Sequence, residues 1–222
     1  MGILMMKTMI QMILLSLAAA NSALAAPSSQ VAWTPELLSF VRNGNGVKGK
    51  ELSTTCAGCH GEQGISAMPN TPSLAGQLPT YTYKQLQDYK TGSRADDMMA
   101  PLAAGLSDQD MADLAIWFGS LPAPKNKAGK ESLKTAEQLV NQGDGKRTVP
   151  SCFVCHGRNG EGEKMDIPAL AGQQADYFAA TLNAYKNGTR HNDVYSRMRL
   201  ISQQLSEAEI RELAQYYQQL SR

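Results

Sequence analysis

The chain has 222 residues, of which 42% are hydrophobic, 6% aromatic and 18% charged. That length and balance suit one large or two small globular domains and exclude a disordered or fibrous chain. The 21 Lys and Arg residues nearly match the 20 Asp and Glu residues, so the basic excess typical of a nucleic-acid-binding protein is absent.

The first 25 residues have the pattern of a secretory signal peptide. Lys7 is their only charged residue, and residues 9–20 form a short apolar run. The small residues of segment 23–25 provide a signal-peptidase site, so we expect cleavage after Ala25 or Ala26, and export to the periplasm. The alternative is a retained membrane anchor, but the apolar run is short for a span of ~20 residues.

Helix signals follow in chain order. The predicted helices cover residues 33–42, residues 81–90, a segment capped by Ser107, residues 132–141, residues 177–186 and a segment capped by Ser206. Each capped segment carries apolar residues at i, i+3, i+4 and i+7, which is the pattern of one buried helix face. These residues are Met111, Leu114, Ala115 and Phe118 in the first segment, and Ile210, Leu213, Ala214 and Tyr217 in the second. Alternating strand patterns are scarce, so the sequence predicts an all-α fold.

All four cysteines lie in two C-x-x-C-H motifs, which is the attachment signature of c-type haem. The two thiols of such a motif bond to the haem vinyl groups, and the histidine that follows lies under the iron as its proximal ligand. We therefore expect two covalently bound haems, one on Cys56 and Cys59 with His60 as iron ligand, and one on Cys152 and Cys155 with His156 as iron ligand.

Three other uses of paired cysteines fit less well. A zinc site usually spaces its two C-x-x-C pairs by ~15–20 residues, whereas Cys59 and Cys152 are 93 positions apart. A thioredoxin-like motif belongs in a strand-rich context. Two structural disulfides would not require a histidine after each pair.

The chain is also a tandem repeat. At an offset of 96 residues both motifs superpose, and the tetrapeptide Leu-Ala-Gly-Gln at 74–77 recurs at 170–173. The offset becomes 99 beyond Arg190, so the second copy has three extra residues there. We therefore predict two small all-α cytochrome domains over residues 26–121 and 132–222. A solvated Pro- and Lys-containing linker over 122–131 joins them.

Two methionines are candidates for the sixth iron ligand. Histidine is nearly excluded, because only His191 remains for two haems. Counting back seven residues from the aligned Leu106 and Leu205 gives Met99 and Met198, which we place in a loop before each capped helix. Met98 adjoins Met99, so the choice between them rests on the alignment. The other interpretation is that these methionines fill the core.

These motifs together resemble the class I cytochrome c family, and within it the dihaem cytochrome c4 group. The resemblance covers residues 43–222 and rests on the paired C-x-x-C-H-G, Pro-x-Leu-Ala-Gly-Gln and Tyr-Lys-x-Gly-x-Arg segments, and on a Met before a Leu-Ser-capped helix. It implies that the backbone carbonyls of Pro72 and Pro168 accept hydrogen bonds from the proximal histidines.

The resemblance also implies two domains that meet face to face with their haem propionates near the interface. Arg94 and Arg190 are then candidate propionate partners, and the alternative is that they are solvated charges at helix ends. Two features depart from the family pattern: the segment at 33–42 is an N-terminal addition, and the second copy has a longer loop before Met198.

A haem with His below and Met above has no vacant ligand position, so we expect an electron carrier rather than an enzyme. It would take single electrons from a quinol-oxidising complex or a dehydrogenase and pass them to a terminal oxidase. It would be soluble or loosely associated with the membrane. One alternative is a cytochrome subunit of a periplasmic dehydrogenase complex. A dihaem peroxidase-like enzyme is disfavoured, because it would require one haem to open a ligand site.

Overall fold

A computed structural model of the chain describes residues 28–125, 133–163 and 165–221. The signal peptide expected over residues 1–25 lies outside the described residues, as does the part of the expected linker from residue 126 onward. The boundaries expected for the two domains, 26–121 and 132–222, remain predictions.

The described part of the first half is built from α-helices joined by short loops. They are α1 (Pro35–Arg42), α2 (Gly46–Leu52), α3 (Ala57–His60), α4 (Pro79–Lys90), α5 (Met99–Ala104) and α6 (Asp108–Ser120), with a 3-10 turn at Ser53–Thr55.

The described part of the second half repeats most of this order. Its helices are α7 (Lys134–Asn141), α8 (Phe153–His156), α9 (Ala175–Lys186), α10 (Arg197–Gln203) and α11 (Glu207–Gln219), with a 3-10 turn at Val194–Ser196. Within the described ranges the structure has two isolated β-bridges and no strand, which confirms the all-α prediction. None of the helices described is long and apolar enough to cross a membrane.

Both capped helices begin where the sequence predicts. The Ser107 hydroxyl accepts a hydrogen bond from the N–H of Asp110, whose carboxylate accepts one from the N–H of Ser107. Ser206 and Glu209 form the same reciprocal pair at α11. Each pair satisfies backbone donors that a helix start leaves free, and this fixes where α6 and α11 begin.

The predicted apolar face of α6 is buried. Met111, Leu114, Ala115 and Phe118 are at most 3% exposed. Helix α2 approaches α6 closely at Gly49, where a Cβ atom would lie 2.1 Å from the carbonyl oxygen of Asp113. Helices α1, α2 and α4 therefore pack around α6 as the centre of the first half.

The N-terminal addition predicted as a helix is a structural part of the first half. Val41 of α1 is fully buried in the same cluster as Met111 and Tyr83. Trp33 and Phe40 pack their rings against Tyr83 at centroid distances of 6.3 Å each. Burial of this apolar surface stabilises α1 on the domain.

In the second half, α11 takes the place of α6. Ile210, Leu213 and Tyr217 of α11 share one buried cluster with Leu139 of α7 and Phe178 of α9. The rings of Phe178 and Tyr217 stack with their centroids 5.4 Å apart.

The two halves differ at the positions that form α2 in the first half. At the equivalent positions the second half has a tight loop, in which Asp144 pairs with Val149 as an isolated bridge. Arg147 binds Asp144 on this loop and Glu209 at the start of α11. Neither α2 nor this loop is among the elements predicted from the sequence.

Candidate haem-binding sites

Each C-x-x-C-H motif forms one helical turn. The N–H of His60 donates to the carbonyl of Cys56 at 3.0 Å, and that of His156 donates to Cys152 at 2.9 Å. An i to i−4 bond of this kind places the histidine one turn above the first cysteine, on the same side of the chain. The turn therefore presents both thiols and the imidazole together.

A glycine ends each turn. Gly61 has φ of 80°, and a Cβ atom at this position would lie 2.2 Å from the carbonyl oxygen of Ile65. Glycine adopts this left-handed conformation readily, because it has no Cβ atom to clash. The chain can thus turn back directly after His60.

The histidine rings are held by the backbone carbonyls that the resemblance implied. Nδ1 of His60 lies 2.8 Å from the oxygen of Pro72, and Nδ1 of His156 lies 2.9 Å from that of Pro168. A carbonyl oxygen only accepts, so Nδ1 carries the proton and Nε2 keeps its lone pair. Burial lowers the pKa of both histidines, which favours the neutral imidazole that a metal requires.

None of the four cysteines forms a disulfide, so all four are available for thioether bonds to haem. Burial raises the pKa of Cys152 to about 11, so this thiol is neutral near pH 7. In the described ranges no three His, Cys, Asp or Glu side chains are grouped as they would be in a metal site.

The structure places the candidate methionines on short helices, so the prediction of a loop at these positions was wrong. Met99 is the first residue of α5 and is half-buried, while Met98 is 69% exposed. Asp96 accepts hydrogen bonds from both N–H groups and fixes this helix start. Met198, in α10, is half-buried against the second core, as is Cys152.

The two candidate arginines lie between the two halves. Arg94 donates to the hydroxyl of Tyr177 at 3.2 Å, and Arg190 donates to that of Tyr81 at 3.0 Å. Each arginine thus binds the tyrosine of the other half. Arg190 is only 5% exposed, so its interpretation as a solvated helix-end charge was wrong.

The arginines also act on a tyrosine at this interface. Burial by itself raises the pKa of Tyr177, but the charges of Arg94 and Arg190 outweigh it and the pKa is lowered to about 7. Nη1 of Arg190 is buried and has no hydrogen-bond partner among the described residues. An anionic acceptor would satisfy a buried cationic donor of this kind and offset its charge.

These residues fit a covalently bound haem. Each motif supplies two thiols and a metal-competent imidazole, the half-buried methionines can supply thioether ligands, and the unpartnered Nη1 of Arg190 suits a propionate. The residues present therefore suit the covalent attachment and the iron ligation of two haems.

Comparison with known proteins agrees with this chemistry. The family model described as cytochrome c matches twice, over residues 46–122 and 142–221. The chain belongs to the cytochrome c family. Each match contains one C-x-x-C-H motif, so the protein is a dihaem cytochrome.

Relatives and a solved structure narrow the family to its cytochrome c4 group. Cytochrome c4 of Thiocapsa roseopersicina is 40% identical over 75% of this chain and 87% of its own length. The thiosulfate dehydrogenase electron acceptor of Stutzerimonas stutzeri is 38% identical over 73% of this chain and 77% of its own. The crystal structure of reduced recombinant cytochrome c4 from Pseudomonas stutzeri superposes with a TM-score of 0.77 at 36% identity, covering 80% of this chain and 99% of that one.

The protein is accordingly a dihaem electron-transfer cytochrome and not an enzyme. Its haems are bound covalently through the Cys56–Cys59 and Cys152–Cys155 pairs.

Several residues that join the two haem domains are not among those that the sequence predicts to be functional. These are the glutamines of the repeated tetrapeptide, the tyrosines of the Tyr-Arg pairs, Gln85 and Asn192. The recurrence of Gln77 and Tyr81 at the offset of 96 was a usable signal, but nothing in the repeat marks Gln85 or Asn192, because neither is repeated.

Proposed function

We propose that His60 and Met99 hold the iron of the first haem, and that His156 and Met198 hold the iron of the second. The observation that carries this assignment is the pair of Nδ1 contacts to Pro72 and Pro168, which leaves each Nε2 free to bind metal. Bound between a histidine nitrogen and a methionine sulfur, a haem supplies one-electron chemistry at a raised potential.

The protein keeps these ligands in place without large rearrangement. The carbonyls of Pro72 and Pro168 fix the orientation of the imidazoles and raise their basicity as ligands. Helices α5 and α10, which carry the methionines, pack against α4 and α9. Such a rigid ligand set suits a carrier, because little has to move when the charge on the iron changes.

We further propose that the chain works in the periplasm, where it takes electrons from a respiratory donor and passes them to a terminal oxidase. The signal-peptide pattern of residues 1–25 supports this location. Purification of the native protein with its bound partners, followed by redox titration of both haems, tests the proposal. We expect two one-electron steps and reoxidation by membranes that contain the oxidase. Stoichiometric binding of carbon monoxide by the wild-type protein would overturn the closed-site assignment.

A second candidate is the electron acceptor of a periplasmic dehydrogenase. Relatives from Stutzerimonas stutzeri and Thiomonas intermedia, 38% and 30% identical, carry the name thiosulfate dehydrogenase electron acceptor. Mixing the oxidised holoprotein with a purified thiosulfate dehydrogenase and thiosulfate tests this role. Rapid haem reduction would favour it, whereas reduction only by a quinol-oxidising complex would favour the first role.

A further inference from the structure

Helices α4 and α9 are equivalent in the repeat. One surface of α4 carries buried polar and charged side chains, and α9 lacks them at the same positions. Lys84, Gln85 and Asp88 are 2%, 8% and 0% exposed. The residues at the same positions of α9 are Ala180, Thr181 and Ala184. This surface therefore breaks the equivalence of the two halves.

The inserted segment 191–193 of the second half docks on this surface. Asn192 is 1% exposed, and its backbone carbonyl accepts a hydrogen bond from Lys84 at 2.8 Å. Its side-chain amide donates to Asp88 at 2.7 Å and to Gln85 at 3.0 Å. The insertion thus ties the second half to α4 of the first.

The side-chain oxygen of Gln85 gathers three donors. It accepts from Nη1 of Arg94 at 2.8 Å, from Nη2 of Arg190 at 2.9 Å and from Asn192. The aromatic rings of Tyr89 and Tyr185 lie 4.5 Å and 4.6 Å from the guanidinium carbons of Arg94 and Arg190. One oxygen therefore fixes guanidinium groups from both halves at a single point of the interface.

The charges around this point do not cancel. Asp88 pairs with Lys84, and Asp193 pairs with Arg199, so both carboxylates already have cationic partners. Arg94, which is half-buried, and Arg190, which is buried, remain as two cations without a carboxylate. Such an excess is costly unless an anionic group compensates it, and a haem propionate would be such a group.

We propose that Gln85 is a positioning residue for both haems: it holds Arg94 and Arg190 between the two sites and so sets both reduction potentials together. The inference rests on the dihaem carrier function proposed above. A cation near a haem favours the ferrous state, and in a buried site its effect is weakly screened. A change at Gln85 should therefore be felt by both haems at once.

The substitution Gln85→Glu tests this with little change of shape. The carboxylate accepts the same three hydrogen bonds, but it adds a negative charge between the two cations. We expect both midpoint potentials of the holoprotein to fall in a spectroelectrochemical titration, without a loss of unfolding free energy. Gln142→Glu adds the same charge at an exposed residue of the second half, and it should leave both potentials in place.

A second variant covers the case in which Gln85→Glu does not fold with both haems. Gln85→Met keeps the length of the side chain and removes the strong acceptor, so both potentials should shift in the same direction. The proposal is overturned if a folded variant moves neither potential or only one, or if Gln142→Glu moves them as much as Gln85→Glu. If the wild type lacks two six-coordinate haems, the proposed function fails instead, which separates the two outcomes.

Discussion

Gln77 of the first half and Gln173 of the second half each form the same pair of hydrogen bonds to the backbone of the other half. The amide of Gln77 donates to the carbonyl of Ala169 at 3.0 Å and accepts from its N–H at 2.9 Å. Gln173 does the same to Ser73 at 3.0 Å and 2.9 Å. Since Ser73 and Ala169 are also equivalent in the repeat, the repeated tetrapeptide is a reciprocal clamp between the domains.

Removing one clamp should destabilise the domain interface. Gln77→Ala leaves the buried N–H and carbonyl of Ala169 without partners, which costs about 1–3 kcal/mol. We expect the free energy of unfolding of the holoprotein in guanidinium chloride to fall by about 2 kcal/mol. Gln142→Ala, an exposed substitution, should have little effect. A Gln77→Ala protein as stable as the wild type would show that the clamp contributes nothing to the interface.

Much of the fold follows from local sequence signals. The structure confirms the serine caps and the apolar faces of the capped helices. Each of these signals, like each C-x-x-C-H motif, lies within a single helix or turn. Met99 and Met198 were expected in loops, because their segments are too short to show a periodic pattern. The helices there depend on packing against α4 and α9, which a local pattern does not contain.

The arrangement between the domains is harder to read from the sequence. Lys84 and Asp88 look like an ordinary i, i+4 surface pair on a helix, yet they are buried. Their burial depends on Asn192, which is more than 100 positions away. Asn192 of the other half, together with Ser29 of the first, binds these polar residues as parts of an interior.

The cysteines should carry the haems by thioether bonds. Cys56→Ser removes one of the two bonds in the first domain, and Cys152→Ser does so in the second. We expect each variant to have one singly linked haem and a less stable domain. Mass spectrometry and the pyridine haemochrome spectrum of the denatured protein measure the linkage. Two fully linked haems in either variant would refute the attachment assignment.

Acid should weaken the contact between Arg147 and the start of α11. Hydrogen bonding to Arg147 lowers the pKa of Glu209 to about 2. A carboxylate whose pKa is lower in the folded state stabilises the protein above its unfolded pKa, and this contribution is lost as pH falls toward the folded value. The contribution should therefore disappear between about pH 4.5 and about pH 2.

Glu209→Gln isolates that contribution, because glutamine still accepts a hydrogen bond at the helix start but does not ionise. We expect the variant to be less stable than the wild type at pH 6, by no more than about 1 kcal/mol for a pair partly open to solvent. The two proteins should converge as the pH approaches 2. Unfolding midpoints measured across this range check the result, and a stability gap that widens on acidification would contradict it.

The methionine ligands give the sharpest test of the carrier function. If Met99 and Met198 both bind iron, the oxidised protein should be low-spin at both haems and show the long-wavelength sulfur-to-iron absorption band. Met198→Ala should remove about half of that band, open one haem to carbon monoxide and lower its potential, because a thioether favours ferrous iron. Met99→Ala should have the same effects on the other haem.

Met98→Ala is the matched control for the first domain. Met98 adjoins Met99, but its side chain is 69% exposed, so its removal should leave the absorption band, the closed haem and the potential unchanged. Loss of half the band in Met98→Ala, with Met99→Ala unaffected, would move the ligand by one residue. If neither variant changes the band, no methionine of this helix start binds iron, and the sixth ligand of the first haem must come from elsewhere in the chain.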